Sequence, residues 1–110
     1  MAKREEVKTP QGSAPRVRSP VRLELGRIVA TPGALTALSR AGQRAADFLV
    51  RHQRGDWGDV GRGDAAANDR AGTAGDGRVL SAYRLRTGVR LWVITEADHS
   101  VTTVLLPDEY

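Results

Sequence analysis

The chain has 110 residues, with 17 Lys or Arg against 13 Asp or Glu, a formal net charge of +4 and no cysteine. That length holds one small domain, and the lack of cysteine excludes a disulfide scaffold, a thiolate zinc site and a cysteine nucleophile. No apolar run approaches the roughly 20 residues of a membrane span, and residues 1–22 lack the apolar core of a secretory signal, so a cytoplasmic protein without membrane association is expected.

The charge is concentrated at one end. Lys3, Arg4, Lys8, Arg16, Arg18 and Arg22 outnumber Glu5 and Glu6 in residues 1–22, while basic and acidic side chains balance in the rest of the chain. This stretch also holds Pro10, Pro15 and Pro20 and few apolar residues. It reads as a disordered tail, because it has too little apolar surface to offset the entropy of ordering. Such a tail is either a solvated extension or a loose hold on nucleic acid through phosphates.

A single domain is expected over residues 23–110. Leu25 to Ala30 reads as a strand. Thr31-Pro32 reads as a helix start, with a capping hydroxyl and a proline where no N–H is needed. The helix is expected to run from Pro32 to about His52, with Leu35, Leu38, Ala45, Leu49 and His52 on one face. Arg40, Arg44, Asp47, Arg51 and Arg54 then form an opposite stripe. It is a solvated face on which Asp47 pairs with Arg44 and Arg51, or a phosphate-contacting ridge. Gly55 to Gly63 reads as a turn-rich loop, and Asp64 as the cap of a weak helix over Ala65–Ala71, ended by the glycines of 72–77.

The remainder reads as β. Val79 to Leu85 and Val89 to Thr95 form a hairpin around Arg86-Thr87-Gly88. A two-residue loop would set Leu85 opposite Arg90. A three-residue loop sets Leu85 opposite Val89, Tyr83 opposite Leu91, Ser81 opposite Val93 and Val79 opposite Thr95. The second is expected, because it gathers apolar residues on one face and gives Gly88 the left-handed bulge position. It also sets Arg84 directly across from Arg90, which calls for a carboxylate such as Glu96 or Asp98, or an anionic ligand. Asp98-His99-Ser100 turns the chain into a last strand, Val101 to Leu106. The expected fold is α+β in the order β-α-α-β-β-β, an antiparallel three-strand meander covered by a long helix.

Five blocks carry a resemblance. They are Arg27-Ile-Val-Ala-Thr-Pro-Gly-Ala34, His52-Gln-Arg-Gly-Asp-Trp-Gly58, Leu80-Ser-Ala-Tyr83, Trp92-Val-Ile-Thr-Glu-Ala-Asp98 and Ser100-Val-Thr-Thr-Val-Leu-Leu-Pro-Asp-Glu-Tyr110. Over residues 26–110 the chain resembles a family of small proteobacterial proteins of plasmids and integrated mobile elements, labelled "plasmid-related protein" or "type I restriction endonuclease subunit M". The second label implies a methyltransferase part, yet this chain has neither a glycine-rich methyl-donor loop nor an Asn-Pro-Pro-Tyr-type motif. The resemblance therefore implies an accessory protein of mobile DNA that binds nucleic acid or a component of a DNA-processing or restriction system, without catalysis. The element order is also similar to RelE/ParE-type ribonuclease toxins, a topological analogy alone. A structural or dimerisation module, pairing with a second copy of the chain, is the third alternative.

The candidate residues follow. As an enzyme the chain would use His52, Tyr83, Arg84 and Arg90. His52 lies on the apolar stripe at a helix C-terminus, an end that favours the imidazolium, beside Asp56 and Trp57. It reads equally as a half-buried anchor of the loop. As a binder the chain would use Arg40, Arg44, Arg51, Arg54, Arg84 and Arg90, with Trp57 as a stacking platform or a plug over the core. Asp56, Asp59, Asp64, Asn68 and Asp69 crowd one segment but miss the spacing of a calcium loop, and His52 and His99 are far apart. No metal and no cofactor are expected.

Overall fold

The computed structural model describes residues 5–6, 23–74 and 77–110. Its strands are β1 (Glu5–Glu6), β2 (Arg27–Ala30), β3 (Val79–Arg84), β4 (Arg90–Thr95) and β5 (Val101–Leu105). Its helices are α1 (Pro32–Ala41), α2 (Ala45–Gln53) and α3 (Arg62–Ala74), and a 3-10 turn spans Pro107–Glu109. The domain is α+β, with a mixed sheet in the order β1-β2-β5-β4-β3. β3, β4 and β5 form the expected antiparallel meander, and β2 joins parallel to β5. Glu5–Glu6 pairs antiparallel with Val29 and Ala30, and so extends the sheet beyond β2. The rest of the expected disordered tail lies outside the described residues.

The single helix expected over 32–52 is two. Thr31 caps α1 as anticipated, its hydroxyl oxygen accepting the Ala34 N–H at 3.2 Å. Ten residues later the chain leaves the helix at Gly42, which has φ 66°. A side chain is strained in that left-handed conformation, and glycine is not. The Gly42 and Gln43 N–H groups close onto the carbonyls of Ser39 and Leu38, which satisfies the last turn. α2 then begins afresh, with the Asp47 carboxylate accepting the Arg44 backbone N–H at 3.1 Å. The break turns the helical layer without losing its apolar face. Ala34, Leu38 and Ala41 of α1 and Ala45, Phe48 and Leu49 of α2 pack in one core with Ile28, Val79, Tyr83, Leu91, Val93 and Val104 of the sheet.

The hairpin has the three-residue loop. The Leu85 N–H donates to the Val89 carbonyl at 2.8 Å, Gly88 has φ 93°, and Val79, Ser81, Tyr83 and Arg84 lie opposite Thr95, Val93, Leu91 and Arg90. β4 is central, as its two apolar faces imply. β3 is equally apolar but ends the sheet, and its outer edge is closed by other means. The Trp57 carbonyl accepts from the Ala82 N–H at 3.1 Å, and the Asp59 N–H donates to the Ala82 carbonyl at 2.6 Å. Gly58, between them, has φ 73° and lies so close to the Ala82 carbonyl that no Cβ would fit. Two residues along, the Asn68 side-chain amide accepts from the Leu80 N–H at 3.1 Å and donates to the Leu80 carbonyl at 2.7 Å. A loop and one side chain thus substitute for a neighbouring strand.

α3 starts at Arg62, so Asp64 sits inside its first turn and is not its cap, and the helix runs to Ala74, through Gly72. Residues 75–76 of the glycine-rich stretch lie outside the described set.

Candidate functional site

The sequence-predicted residues divide between the two ends of the β3–β4 hairpin. At the end near β5 lies His52, fully buried. Its Nδ1 is 2.5 Å from Ser81 Oγ and its Nε2 is 2.9 Å from Thr95 Oγ1. Thr95 Oγ1 is 2.7 Å from Thr102 Oγ1, which in turn donates to the Leu25 carbonyl at 2.7 Å. The carbonyl fixes every direction in this chain. Thr102 spends its proton on Leu25, so Thr95 donates to Thr102, and the imidazole Nε2–H donates to Thr95. Ser81 then donates to Nδ1. All groups are satisfied with a neutral ring, and the edge of Trp57 packs against it with centroids 5.7 Å apart. Burial lowers the imidazole pKa from 6.5 to about 3. The ring packs against the loop tryptophan as an anchor would, but it is fully buried and not half-buried, and the imidazolium expected at the helix end is corrected. Desolvation outweighs the helix dipole here.

The other candidates in this region are also engaged internally. Tyr83 is 2% exposed, and its hydroxyl donates to the Asp56 carbonyl at 2.7 Å. Burial is the main reason its phenol is held above the ordinary range. The Arg51 guanidinium lies 4.6 Å above the Tyr83 ring and meets the Asp56 carboxylate at 2.6 Å. That bond raises the Arg51 pKa and lowers that of Asp56. The expected pairing of Asp47 with Arg51 does not form, because Asp47 serves the start of α2 and Asp56 follows Arg51 around the turn. Trp57 is the plug, 5% exposed, with its indole N–H donating to Asp69 at 2.9 Å. It offers no exposed stacking face.

The opposite end of the hairpin is basic. Arg84 and Arg90 are exposed and directly opposed. Leu85 and Val89 next to them share ladder hydrogen bonding, so Arg84 and Arg90 form a non-hydrogen-bonded pair, whose side chains stand closest. At the tip, the Arg86 backbone N–H donates to Gln43 Oε1 at 2.9 Å and its guanidinium reaches the Gly42 carbonyl at 3.5 Å. These contacts tie the tip to the α1–α2 junction, which Arg40 and Arg44 flank. Among the described residues, none of Arg40, Arg44, Arg84, Arg86 and Arg90 has a carboxylate within ion-pair distance. Neither Glu96 nor Asp98 compensates the Arg84–Arg90 pair. Asp98 instead accepts the Ser100 N–H and hydroxyl. The continuous stripe from Arg40 to Arg54 does not exist, because the helix break divides it. Arg40 and Arg44 go with the hairpin tip, and Arg51 goes with Asp56.

Sequence reasoning missed Asn68 as an edge cap, having grouped it with possible metal ligands. Among the described residues, no three His, Asp or Glu side chains gather to hold a metal ion. His99, in the turn before β5, is half-buried with φ 59°. No helix among the described residues is long and apolar enough to cross a membrane. No protein-family model, curated protein or solved structure matches this chain.

Proposed function

We propose that the chain is a non-catalytic accessory protein of mobile DNA, and that it holds a nucleic-acid backbone on the arginine-bearing end of its sheet. One observation carries the reading. Arg84 and Arg90 stand side by side on adjacent strands with no carboxylate nearby among the described residues. Like charges placed so oppose folding, and a phosphate between them removes the cost and gains charge-assisted hydrogen bonds. Arg86 follows at the hairpin tip and adds a further positive charge to this end of the sheet. Contacts of this kind position a duplex without reading its sequence.

The state of the other candidates favours binding over the ribonuclease alternative. A ribonuclease needs a general base or acid at the solvent boundary. His52 is sealed and neutral between two hydroxyls, and Tyr83 spends its proton on a backbone carbonyl. The resemblance to plasmid-related proteins belongs to the same proposal and supplies its setting.

The test is an amide-resolved NMR titration with a short DNA duplex. The largest shifts are expected at residues 84–90, with His52, Ser81 and Thr95 unmoved. Shifts centred instead on the Trp57–Asp59 loop and α3 would reject this surface. Cleavage of an added RNA by the purified chain would reject the non-catalytic reading.

A further inference from the structure

A second feature of the molecule lies beside the hairpin tip, on the helical side of the sheet. It is a groove of about 600 Å³ between α1 and the tip. Gly33, Thr36, Ala37 and Arg40 of α1 form one wall, at spacings that keep them on one side of the helix. Val89 and Leu106 face them. The stripe is separate from the Ala34, Leu38 and Ala41 face that enters the core. Val89 is 40% exposed here, one of two large apolar side chains so exposed among the described residues. The lining is mostly apolar, with the hydroxyls of Thr36 and Thr87 and no aromatic ring, and Arg40 is its single charged group. A mostly apolar groove of this size with one placed charge is the usual form of a small-molecule site.

The two ends of the groove differ in sign. Arg40 stands at the C-terminal end of α1 with no carboxylate partner among the described residues. At the other end the Glu109 carboxylate lies against Gly33, where a side chain would displace it. It accepts the Leu106 N–H at 2.9 Å and the Thr31 hydroxyl at 2.5 Å. An anionic group is therefore repelled from the Gly33 end and attracted to the Arg40 end.

We propose that the groove between α1 and the hairpin tip binds an aliphatic carboxylate, with its carboxylate on Arg40 and its chain along Ala37, Val89 and Leu106 toward Gly33. The site is independent of the phosphate-backbone reading, which uses Arg84 and Arg90 on the sheet.

Decanoate and decanol, both below micelle formation, are titrated into the full chain by calorimetry. Saturable decanoate binding is expected, with decanol about fivefold weaker, the upper range for one exposed ion pair. Arg40→Gln brings decanoate to the level of decanol. Thr36→Trp and Val89→Trp fill the groove from opposite walls and abolish binding of both, each checked for an intact fold by its amide spectrum. Arg84→Ala leaves decanoate binding unchanged. The proposal is overturned if decanoate does not saturate, if decanol binds as tightly, or if either folded tryptophan variant still binds. It is also overturned if Arg84→Ala removes binding, which would move the carboxylate to the sheet arginines.

Discussion

The two ends of the β3–β4 hairpin treat polar side chains in opposite ways. At one end, His52, Ser81, Thr95 and Thr102 are buried, and each donor has an acceptor, down to the Leu25 carbonyl. At the other, Arg84 and Arg90 are exposed, adjacent and uncompensated by any described carboxylate. The first arrangement stabilises the fold and leaves no group for an outside partner. The second places like charges directly opposite one another, an arrangement that costs stability. The histidine and tyrosine with the appearance of catalytic residues are thus hydrogen-bonded inside the fold, whereas Arg84 and Arg90 face outward with no carboxylate in ion-pair distance among the described residues.

The largest effect is expected from breaking the buried end. His52→Ala removes a fully buried ring and strands the hydroxyls of Ser81 and Thr95, and should cost about 4 kcal/mol in urea unfolding. A loss near zero would mean the polar chain contributes little. The same histidine gives a pH signature. Its folded pKa, about 3, lies below its ordinary 6.5. The unfolded chain therefore binds the extra proton between those values. Stability is complete above 6.5 and declines as pH falls toward 3. Between pH 7 and 5 the loss should be about 2 kcal/mol, absent in the His52→Ala variant if that variant folds. The depressed Asp56 carboxyl acts in the same direction only at lower pH. A flat profile over that interval would show the imidazole to be exposed or charged.

Asn68→Ala sharpens the contrast at the outer edge of β3. It leaves the Leu80 N–H and carbonyl without partners, at a cost of about 1–3 kcal/mol, and opens the edge to strand addition. Concentration-dependent light scattering should rise. Unchanged scattering and stability would show that water replaces the amide without penalty. Smallest is Arg84→Ala, which should raise stability by about 0.5 kcal/mol by separating two like charges. A fall in stability would reveal an internal partner.

Much of this contrast was legible in the sequence. The three-residue loop follows from matching apolar residues across the hairpin, and the same register puts Ser81 and Thr95 on the face that His52 enters. The Arg84–Arg90 opposition follows from it too. The burial of Trp57 was not decided by the sequence, where its place in a glycine-rich loop left a plug and a stacking platform both open. The helix break was not legible. Leu38 and Ala45 are seven residues apart, so the apolar stripe continues in sequence across Gly42 although the helix does not. Nor was the parallel pairing of β2 with β5, since strands more than 70 residues apart leave no local mark of their partnership. Asn68 looked like a surface or ligand residue because its function depends on an edge that exists only once β3 is placed.

The most direct test is the salt dependence of duplex DNA binding by the wild-type chain and the Arg84→Ala/Arg90→Ala double variant, with the melting temperature of each sample recorded. Each phosphate contact adds about one to the slope of log K against log salt, so the slope should fall by about two in the double variant. The melting temperature should hold or rise. An unchanged slope, or a melting temperature that falls, would contradict the account, because the arginines would then belong to the fold and not to a partner.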